Sequence, residues 1–196
     1  MKEVNRLRAK IATFFLAIFF LTSIAIAVKS SLQKQKMTSK NQIEQIQTNQ
    51  VNNYAGLLIV ENREKIVIQL GGQKLEVEVV NSAASITQGL SSREEIGSDG
   101  MLFVFEKKLT PSFWMKEMKF DLDMIWLLAQ KDDQTGQEII KIVDIIKNVP
   151  APDPGTSLKD LPRYSPNQPA NMILEVESEK VAEWGLVIGD QLIVLN

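Results

Sequence analysis

The stretch PSFWMKEMKFDLDMIW, residues 111–126, contains a concentration of side chains that could do chemistry. Asp121 and Asp123 are two residues apart, so a strand would place both carboxylates on one face, about 6.5 Å apart along the chain. That spacing suits the acid and base of a glycoside hydrolase, with Glu175 as a further candidate. Acids this close together are also frequent in turns, where Asp123 is expected to accept hydrogen bonds from backbone amides or from Arg93.

A binding role for the same stretch depends on Trp114 and Lys116. In a strand these two side chains share one face, while Phe113 and Met115 face the core. An exposed indole beside a cation is a common way to hold a sugar or a peptide. The alternative is that Trp114 lies beneath a loop, such as the proline-rich loop that contains Tyr164.

The composition excludes several kinds of active site. The chain has no Cys and no His, which excludes cysteine nucleophiles, Ser-His-Asp triads and the usual zinc sites. The acidic run DDQTGQE, residues 132–138, offers oxygen ligands but lacks the spacing of a calcium loop. We therefore predict neither a metal site nor a cofactor.

The charge is distributed unevenly along the chain. Residues 1–53 contain eight basic and two acidic residues, whereas residues 54–196 contain 14 basic and 22 acidic residues, a net charge of −8. An acidic domain of this kind is a poor binder of nucleic acid, so no nucleic-acid partner is predicted.

The amino-terminal segment is typical of a membrane anchor. Residues 11–28 carry no charge over 18 positions, and such a helix reaches about 27 Å, nearly the thickness of the hydrocarbon layer. Four basic residues in the tail 1–10 predict that the tail is cytoplasmic and the rest of the chain lies outside. A signal peptide cleaved after Ala27, which would release a secreted domain, is the alternative. The polar residues 29–53 then form a linker.

Beyond the linker the apolar residues follow the period of β-strands. The expected strands are GLLIV, KIVIQL, KLEVEVV, MLFVF, SFWMKEM, MIWLLAQ, EIIKIVDIIKN, NMILEVES and GDQLIVLN. Two short helices are expected, one capped by Asn81 or Ser82 and the other capped by Ser178. This pattern predicts a mainly β domain over residues 54–196, either a compact β-barrel or a jelly-roll-like sandwich.

Six motifs occur in a characteristic order between residues 66 and 195. They are QGLSSR, GMLFVF, SFWMKEM, LDMIW, NMILEVE and GLVIGDQL. Together they resemble the domain of unknown function 192 family, a set of small bacterial and archaeal domains often found behind a signal peptide or an anchor. The resemblance implies a compact β-barrel or jelly-roll-like fold with one or two helices. It implies no particular reaction, because the family has no established activity.

The resemblance can be followed residue by residue. The matching positions are Gly89, Leu90 and Arg93, then Gly100 to Phe103, Phe113 to Lys116, and Leu122 to Met124. This chain has Glu117 and Met118 where the family usually has Asn and Thr, and Asp121 where it usually has Pro. If the Asn-Thr pair belongs to a site, that site is altered here.

Two functions follow as hypotheses. In the first, the domain is a non-catalytic module of the cell envelope that binds a glycan, a peptide or an envelope protein in a groove near Arg93, Trp114, Lys116, Asp123 and Tyr164. Arg93 either binds an anion in that groove or pairs with a neighbouring carboxylate. In the second, the domain is an envelope hydrolase whose acid and base come from Asp121, Asp123 and Glu175.

The basic tail in front of the uncharged run gives a testable orientation. Protease added to intact spheroplasts should degrade residues 54–196 and leave a small amino-terminal fragment, because the domain is expected outside the membrane. Immunoblotting checks the outcome. A domain that stays whole in spheroplasts but is degraded after lysis would contradict this orientation.

Overall fold

A computed structural model describes residues 29–37 and 53–195 of the protein. The chain divides into two compact units, Met1–Thr48 and Asn49–Asn196. In the first unit, residues 29–37 are helical (α1). The proposed membrane segment 11–28 lies outside the described residues, so it stays a prediction. Within the described ranges, no helix combines the length and the apolar character that crossing a bilayer requires.

The second unit is a mainly β domain, as predicted. Its described residues form seven strands: β1 Lys65–Leu70, β2 Gln73–Val80, β3 Gly100–Leu109, β4 Leu122–Lys131, β5 Glu138–Val149, β6 Ala170–Glu177 and β7 Gln191–Leu195. The helices described there are α2 Asn53–Ile59, α3 Ala83–Gln88 and α4 Lys180–Glu183, with a 3-10 turn at Leu158–Asp160. The strands close into a barrel in the order β1-β2-β3-β6-β4-β5-β7. The barrel alternative is therefore confirmed over the jelly-roll-like sandwich.

The pairing of β2 with β3 differs from the other pairings. These two strands run parallel, with Val77 opposite Gly100, whereas the other described pairs are antiparallel. A parallel pair cannot be joined by a tight hairpin, so the chain must cross over the sheet between the two strands. The crossover contains α3 and residues 89–99, and it covers the outer face of β3.

The domain has two hydrophobic cores because the central strands are buried on both faces. Along β3, Leu102 and Val104 face the interior of the barrel, whereas Met101 and Phe103 face outward beneath the crossover. A strand buried on both sides has a continuous apolar run, which explains the motif GMLFVF. We call the second cluster the outer core. Its buried members are Val80, Leu90, Ile96, Met101, Phe103, Met115, Met118, Leu122, Met124, Trp126, Val143, Val149, Ala170 and Ile173.

Two of the predicted strands are wrong. Residues 56–59 of the run GLLIV belong to helix α2, where Leu57 is buried in the hydrophobic cluster inside the barrel. Short apolar runs fit a strand or a buried helix equally well, and tertiary packing decides between them. The run SFWMKEM has no regular strand: Phe113 makes an isolated bridge to Tyr164, and Glu117 has a φ of 55°. A left-handed residue interrupts the extended period on which the strand was predicted.

The capping predictions have different outcomes for the two helices. Ser82 caps α3 as expected, and it exchanges hydrogen bonds with Ser85 in a capping box. Ser178 does not cap α4. The residue before α4 is Glu179, which makes no side-chain capping bond. Asp123 of β4 instead accepts a hydrogen bond from the backbone amide of Val181, at 2.9 Å.

Two glycines give a matched test of the packing between β3 and β6. A Cβ at Gly100 would lie 2.9 Å from the carbonyl oxygen of Glu175, so Gly100→Ala should lower the free energy of unfolding by about 1–3 kcal/mol. Gly56 lies in α2 with no atom within 4 Å of its added Cβ. Gly56→Ala should therefore raise stability by up to about 1 kcal/mol. Urea unfolding of both variants checks this, and equal effects would contradict the close approach.

Candidate functional site

A groove of about 300 Å³ opens on the outer face of β3 and β6, next to the outer core. Helix α3 and the residues that follow it form one side, and the segment 111–118 forms the other. The lining residues are Ile86 to Ser91, Phe103, Phe105, Pro111 to Trp114, Met118, Leu122, Arg163 and Glu175. The lining combines aromatic and aliphatic side chains with polar ones, and a concave site that places polar groups among apolar walls is the usual form of a ligand site.

Aromatic rings form the walls of the groove. The ring of Phe113 makes edge-to-face contacts with Phe103 at 5.1 Å, Trp126 at 5.4 Å and Phe105 at 6.2 Å between centroids. Each such contact contributes about 0.5–1.5 kcal/mol beyond the area it buries. Phe113 therefore holds the segment 111–118 against the outer core, although this segment has no regular strand.

The rim of the groove is formed by Trp114 and Arg163. The guanidinium of Arg163 lies 3.7 Å from the centroid of the half-buried indole, a cation–π contact. The two residues are brought together by the backbone bridge next to them. The amide of Phe113 donates to the carbonyl of Tyr164 at 2.8 Å, and the amide of Tyr164 donates back at 2.9 Å. The proline-rich loop is thereby fixed to the segment 111–118.

The floor of the groove carries a buried acid. Glu175 of β6 lies opposite Met101 of β3 and Met124 of β4, and it is 5% exposed. Burial raises the pKa of its carboxyl to about 8, because a charged carboxylate loses its hydration there. At neutral pH the carboxyl is therefore mainly protonated in the unliganded protein.

Helix α3 approaches the groove closely because it ends in a glycine. Gly89 has φ 49° and ψ −131°, a backbone conformation that residues with a Cβ rarely adopt. A Cβ at this position would also lie 3.3 Å from the ring of Phe103. The chain can therefore turn directly over Phe103 and leave the groove open beside it.

The proline-rich loop is fixed at its other end by Asp144 of β5. This buried carboxylate accepts hydrogen bonds from the backbone and side-chain amides of Asn167, at 2.7 and 2.9 Å. The side-chain amide of Gln168 also donates to the carbonyl of Val143, at 2.7 Å. These bonds, with the bridge at Tyr164, set the position of Arg163.

The structure brings together part of the predicted binding set. Trp114 lines the groove, and Tyr164 supports it through its backbone and through packing on the outer core. Lys116 lies on a different groove, between the segment 116–119 and the proline-rich loop. Trp114 and Lys116 therefore do not share a binding face, since the strand that would have aligned them is absent.

Arg93 does not line the groove, because its side chain pairs with Glu78 of β2. Its two terminal nitrogens donate to the Glu78 carboxylate at 2.8 and 2.9 Å, and Arg63 donates to the same group at 2.7 Å. Burial raises the pKa of Glu78, but the two arginines together outweigh burial and leave this pKa below its ordinary value. Of the two alternatives for Arg93, the structure shows the fork to a carboxylate, with Glu78 rather than Asp123 as the partner.

The two aspartates of the predicted acid–base pair are both bonded to backbone amides. Asp123 is fully buried and accepts from the amides of Asn148 at 2.8 Å and Val181 at 2.9 Å. Asp121 accepts from the amide of Ala151 at 2.7 Å. Neither lines the groove, so Glu175 has no carboxylate partner among the groove's described lining. Within the described ranges, no cluster of three or more His, Cys, Asp or Glu is placed to hold a metal ion.

Glu117 and Met118, which stand where the family usually has Asn and Thr, have different structural settings. Glu117 has a φ of 55°, a left-handed conformation that Asn adopts more readily than Glu. Its carboxylate accepts from the hydroxyl of Ser92 at 2.8 Å. Met118 is buried and lines the groove. A Met there makes the groove more apolar than a Thr would.

Sequence reasoning missed several residues that build the groove. Arg163 sits in a proline-rich loop without periodicity, and its stacking on Trp114 joins residues 49 positions apart. Asp144 has two apolar residues on each side of it in β5, and this local pattern does not predict its bonds to the proline-rich loop. Gly89 was expected as part of a helix-end motif, and it does end α3, but the sequence gave no indication that it lies against Phe103.

The fold and the groove define a small closed-barrel domain with a groove on its outer face. The chain belongs to the domain of unknown function 192 family, described as an uncharacterized ACR, whose model matches residues 66–194. None of the curated proteins matches the chain.

Two solved structures share the fold. One is a protein from Sinorhizobium meliloti 1021 described as a "putative transcription regulator", with a TM-score of 0.55 and 25% identity over 68% of this chain and 96% of that chain. The other is a protein of unknown function from Novosphingobium aromaticivorans, with a TM-score of 0.54 and 21% identity over 68% of this chain and 88% of that chain.

The two aspartates give a matched test of structural roles. Asp123→Ala leaves the buried amide of Val181 and the part-buried amide of Asn148 without an acceptor and should cost about 3 kcal/mol of unfolding free energy. Asp121→Ala removes one exposed bond and should cost about 1 kcal/mol or less. Equal losses in urea unfolding would show that Asp123 does not hold β4, β5 and α4 together.

Glu175 predicts a pH-dependent stability. Its pKa is about 8 in the folded protein and near 4.5 when solvated, so the folded state holds the proton more tightly. The stabilisation is full below pH 4.5 and is lost as the pH rises towards about 8, by at most about 1.4 kcal/mol per pH unit. Urea unfolding across this range should show a steeper loss for the wild type than for Glu175→Gln. Parallel curves would contradict the burial of an ionisable group.

Proposed function

We propose that this chain is a non-catalytic binding module of the cell envelope, which holds a peptide or glycan segment of a partner in the outer groove. The observation that carries this proposal is the groove itself, with its aromatic walls and a single buried carboxyl group at its floor. Sites that bind organic ligands commonly combine apolar walls with a few polar groups that fix orientation.

The rim supports recognition of an extended segment. Trp114 is half-buried, and Arg163 is held over its ring, so both side chains are ordered before a partner arrives. Preorganised side chains lose little conformational freedom on binding, which leaves more of the contact energy for affinity. The proline-rich loop next to the rim is itself fixed by Asp144.

The location at the envelope is part of the proposal. Residues 11–28 form the anchor, and the basic residues before them keep the amino terminus in the cytoplasm. The barrel domain then lies outside the cytoplasm, either tethered or released by cleavage after Ala27. Its net charge of −8 disfavours nucleic acid as a partner.

The hydrolase hypothesis receives less support from the same residues. Acid–base hydrolysis of a glycoside needs two carboxyl groups that face one bond. Glu175 lines the groove, whereas Asp121 and Asp123 each accept backbone hydrogen bonds elsewhere. The groove offers one carboxyl group where the mechanism requires two.

The test is binding of defined envelope fragments by the full chain in nanodiscs. Disaccharide-peptide fragments and short peptides would be titrated while the methionine methyl signals are followed by NMR. Met118 lines the groove, and Met172 lies inside the barrel as an internal control. Ligand should shift Met118 and leave Met172 unchanged.

Two tryptophans provide matched variants. Trp114 lies at the groove with Arg163 over its ring, and Trp184 lies at the end of α4 with Lys180 over its ring. Trp114→Ala should weaken binding at least tenfold, about 1.4 kcal/mol, because it removes the ordered aromatic side chain of the rim and the surface on which Arg163 stacks. Trp184→Ala should bind like the wild type. Equal weakening by both variants, or binding that never shifts Met118, would overturn the proposed groove.

A further inference from the structure

We propose that the deep end of the groove is a subsite for a protonated primary amine on an apolar stem, such as a lysine side chain, with Glu175 as its counter-ion. This inference rests on the proposed function, because it assigns the chemistry of one part of the same groove. The subsite would hold one amine-bearing side chain of the partner, not the whole partner.

Glu175 has no hydrogen-bond or ion-pair partner among the described residues. It is 5% exposed and lines the groove. No side-chain hydrogen bond or ion pair from another described residue reaches this carboxyl group. Buried carboxyl groups are normally bonded, and an unbonded one costs free energy. An arriving donor group would remove that cost.

No cation faces Glu175 at the floor of the groove among the described lining residues. The residues that α3, β3 and β4 present to the groove carry no charge, and the segment 111–118 contributes none to its lining. The other ionisable residue of the lining is Arg163, which is stacked on Trp114 at the rim. Burial alone accounts for the raised pKa of Glu175. The position for a counter-ion is therefore unfilled among the described residues.

The carboxyl group and the apolar walls around it together select the kind of ligand. An anion would find no cation beside this carboxyl group, and a neutral ligand would bond only its protonated form and leave its charge unchanged. An ammonium group supplies both hydrogen-bond donors and the opposite charge. Its methylene stem fits walls made of Phe103, Phe113 and Met118, because long cationic side chains bury their stems against apolar surfaces. The net charge of −8 over residues 54–196 favours the approach of a cation.

The ion pair makes binding depend on pH. Glu175 must release its proton when the ammonium binds, so below pH 8 each binding event releases one proton. Affinity should rise about tenfold per pH unit until about pH 8. It should then stay level until the amine itself loses its proton near pH 10.4.

The experiment uses the full chain in nanodiscs and two nearly isosteric probes. Nα-acetyl-lysine amide carries the amine, and Nα-acetyl-norleucine amide lacks it. NMR of the methionine methyl groups follows binding through Met101 and Met124, which flank Glu175, with Met172 as the internal control. At pH 8 the lysine probe should bind at least tenfold more tightly than the norleucine probe. Glu175→Gln, which keeps size and removes the charge, should abolish both this preference and the pH dependence.

The outcomes separate the two proposals. If both probes bind equally, and Trp114→Ala weakens both, the groove is a binding site but the amine subsite is wrong. If Glu175→Gln keeps the preference for lysine, the counter-ion is wrong. If neither probe shifts Met101 or Met124 at any concentration, the amine subsite is wrong. Failure of the envelope fragments to shift Met118 would overturn the groove itself.

Discussion

The parallel pairing of β2 with β3 is the constraint on which the rest of the domain depends. A parallel neighbour forces a crossover, and here the crossover lays α3 and residues 89–99 across the outside of the barrel. β3 is then buried on both faces, and a second hydrophobic core forms outside the barrel. The groove is the part of this outer face that α3 and the segment 111–118 leave uncovered.

The fork of Arg93 and Arg63 on Glu78 supports this arrangement. Glu78 lies on β2, just before the crossover begins, and Arg93 lies within the crossover after α3. The ion pair between Arg93 and Glu78 therefore fastens the crossover to strand β2. A carboxylate held by two guanidinium groups is strongly oriented, which fixes the crossover residues that border the groove.

Three acids that look equivalent in the sequence have three different environments. The Asp121 carboxylate accepts one hydrogen bond at the surface, and Asp123 joins β5 and α4 inside the barrel. Glu175 lies beneath the groove with no bonding partner among the described residues. Residue type set none of these roles. The alternation of side chains along β4 places Asp123 on the inner face of the barrel. The same alternation along β6 places Glu175 on the outer face, where the groove reaches it.

The sequence alone determined the mainly β character of the domain, most of its strands, the capped helix α3 and the family resemblance. Each of these depends on local periodicity, turn residues or motif order, which a linear chain displays directly. Local pattern failed for GLLIV and SFWMKEM, since an apolar run is compatible with more than one backbone and only packing selects among them. The tertiary structure decided the groove. Arg163 meets Trp114 through a contact between distant segments, and Glu175 lies under the groove without a partner among the described residues. No local pattern encodes the register that produces either arrangement.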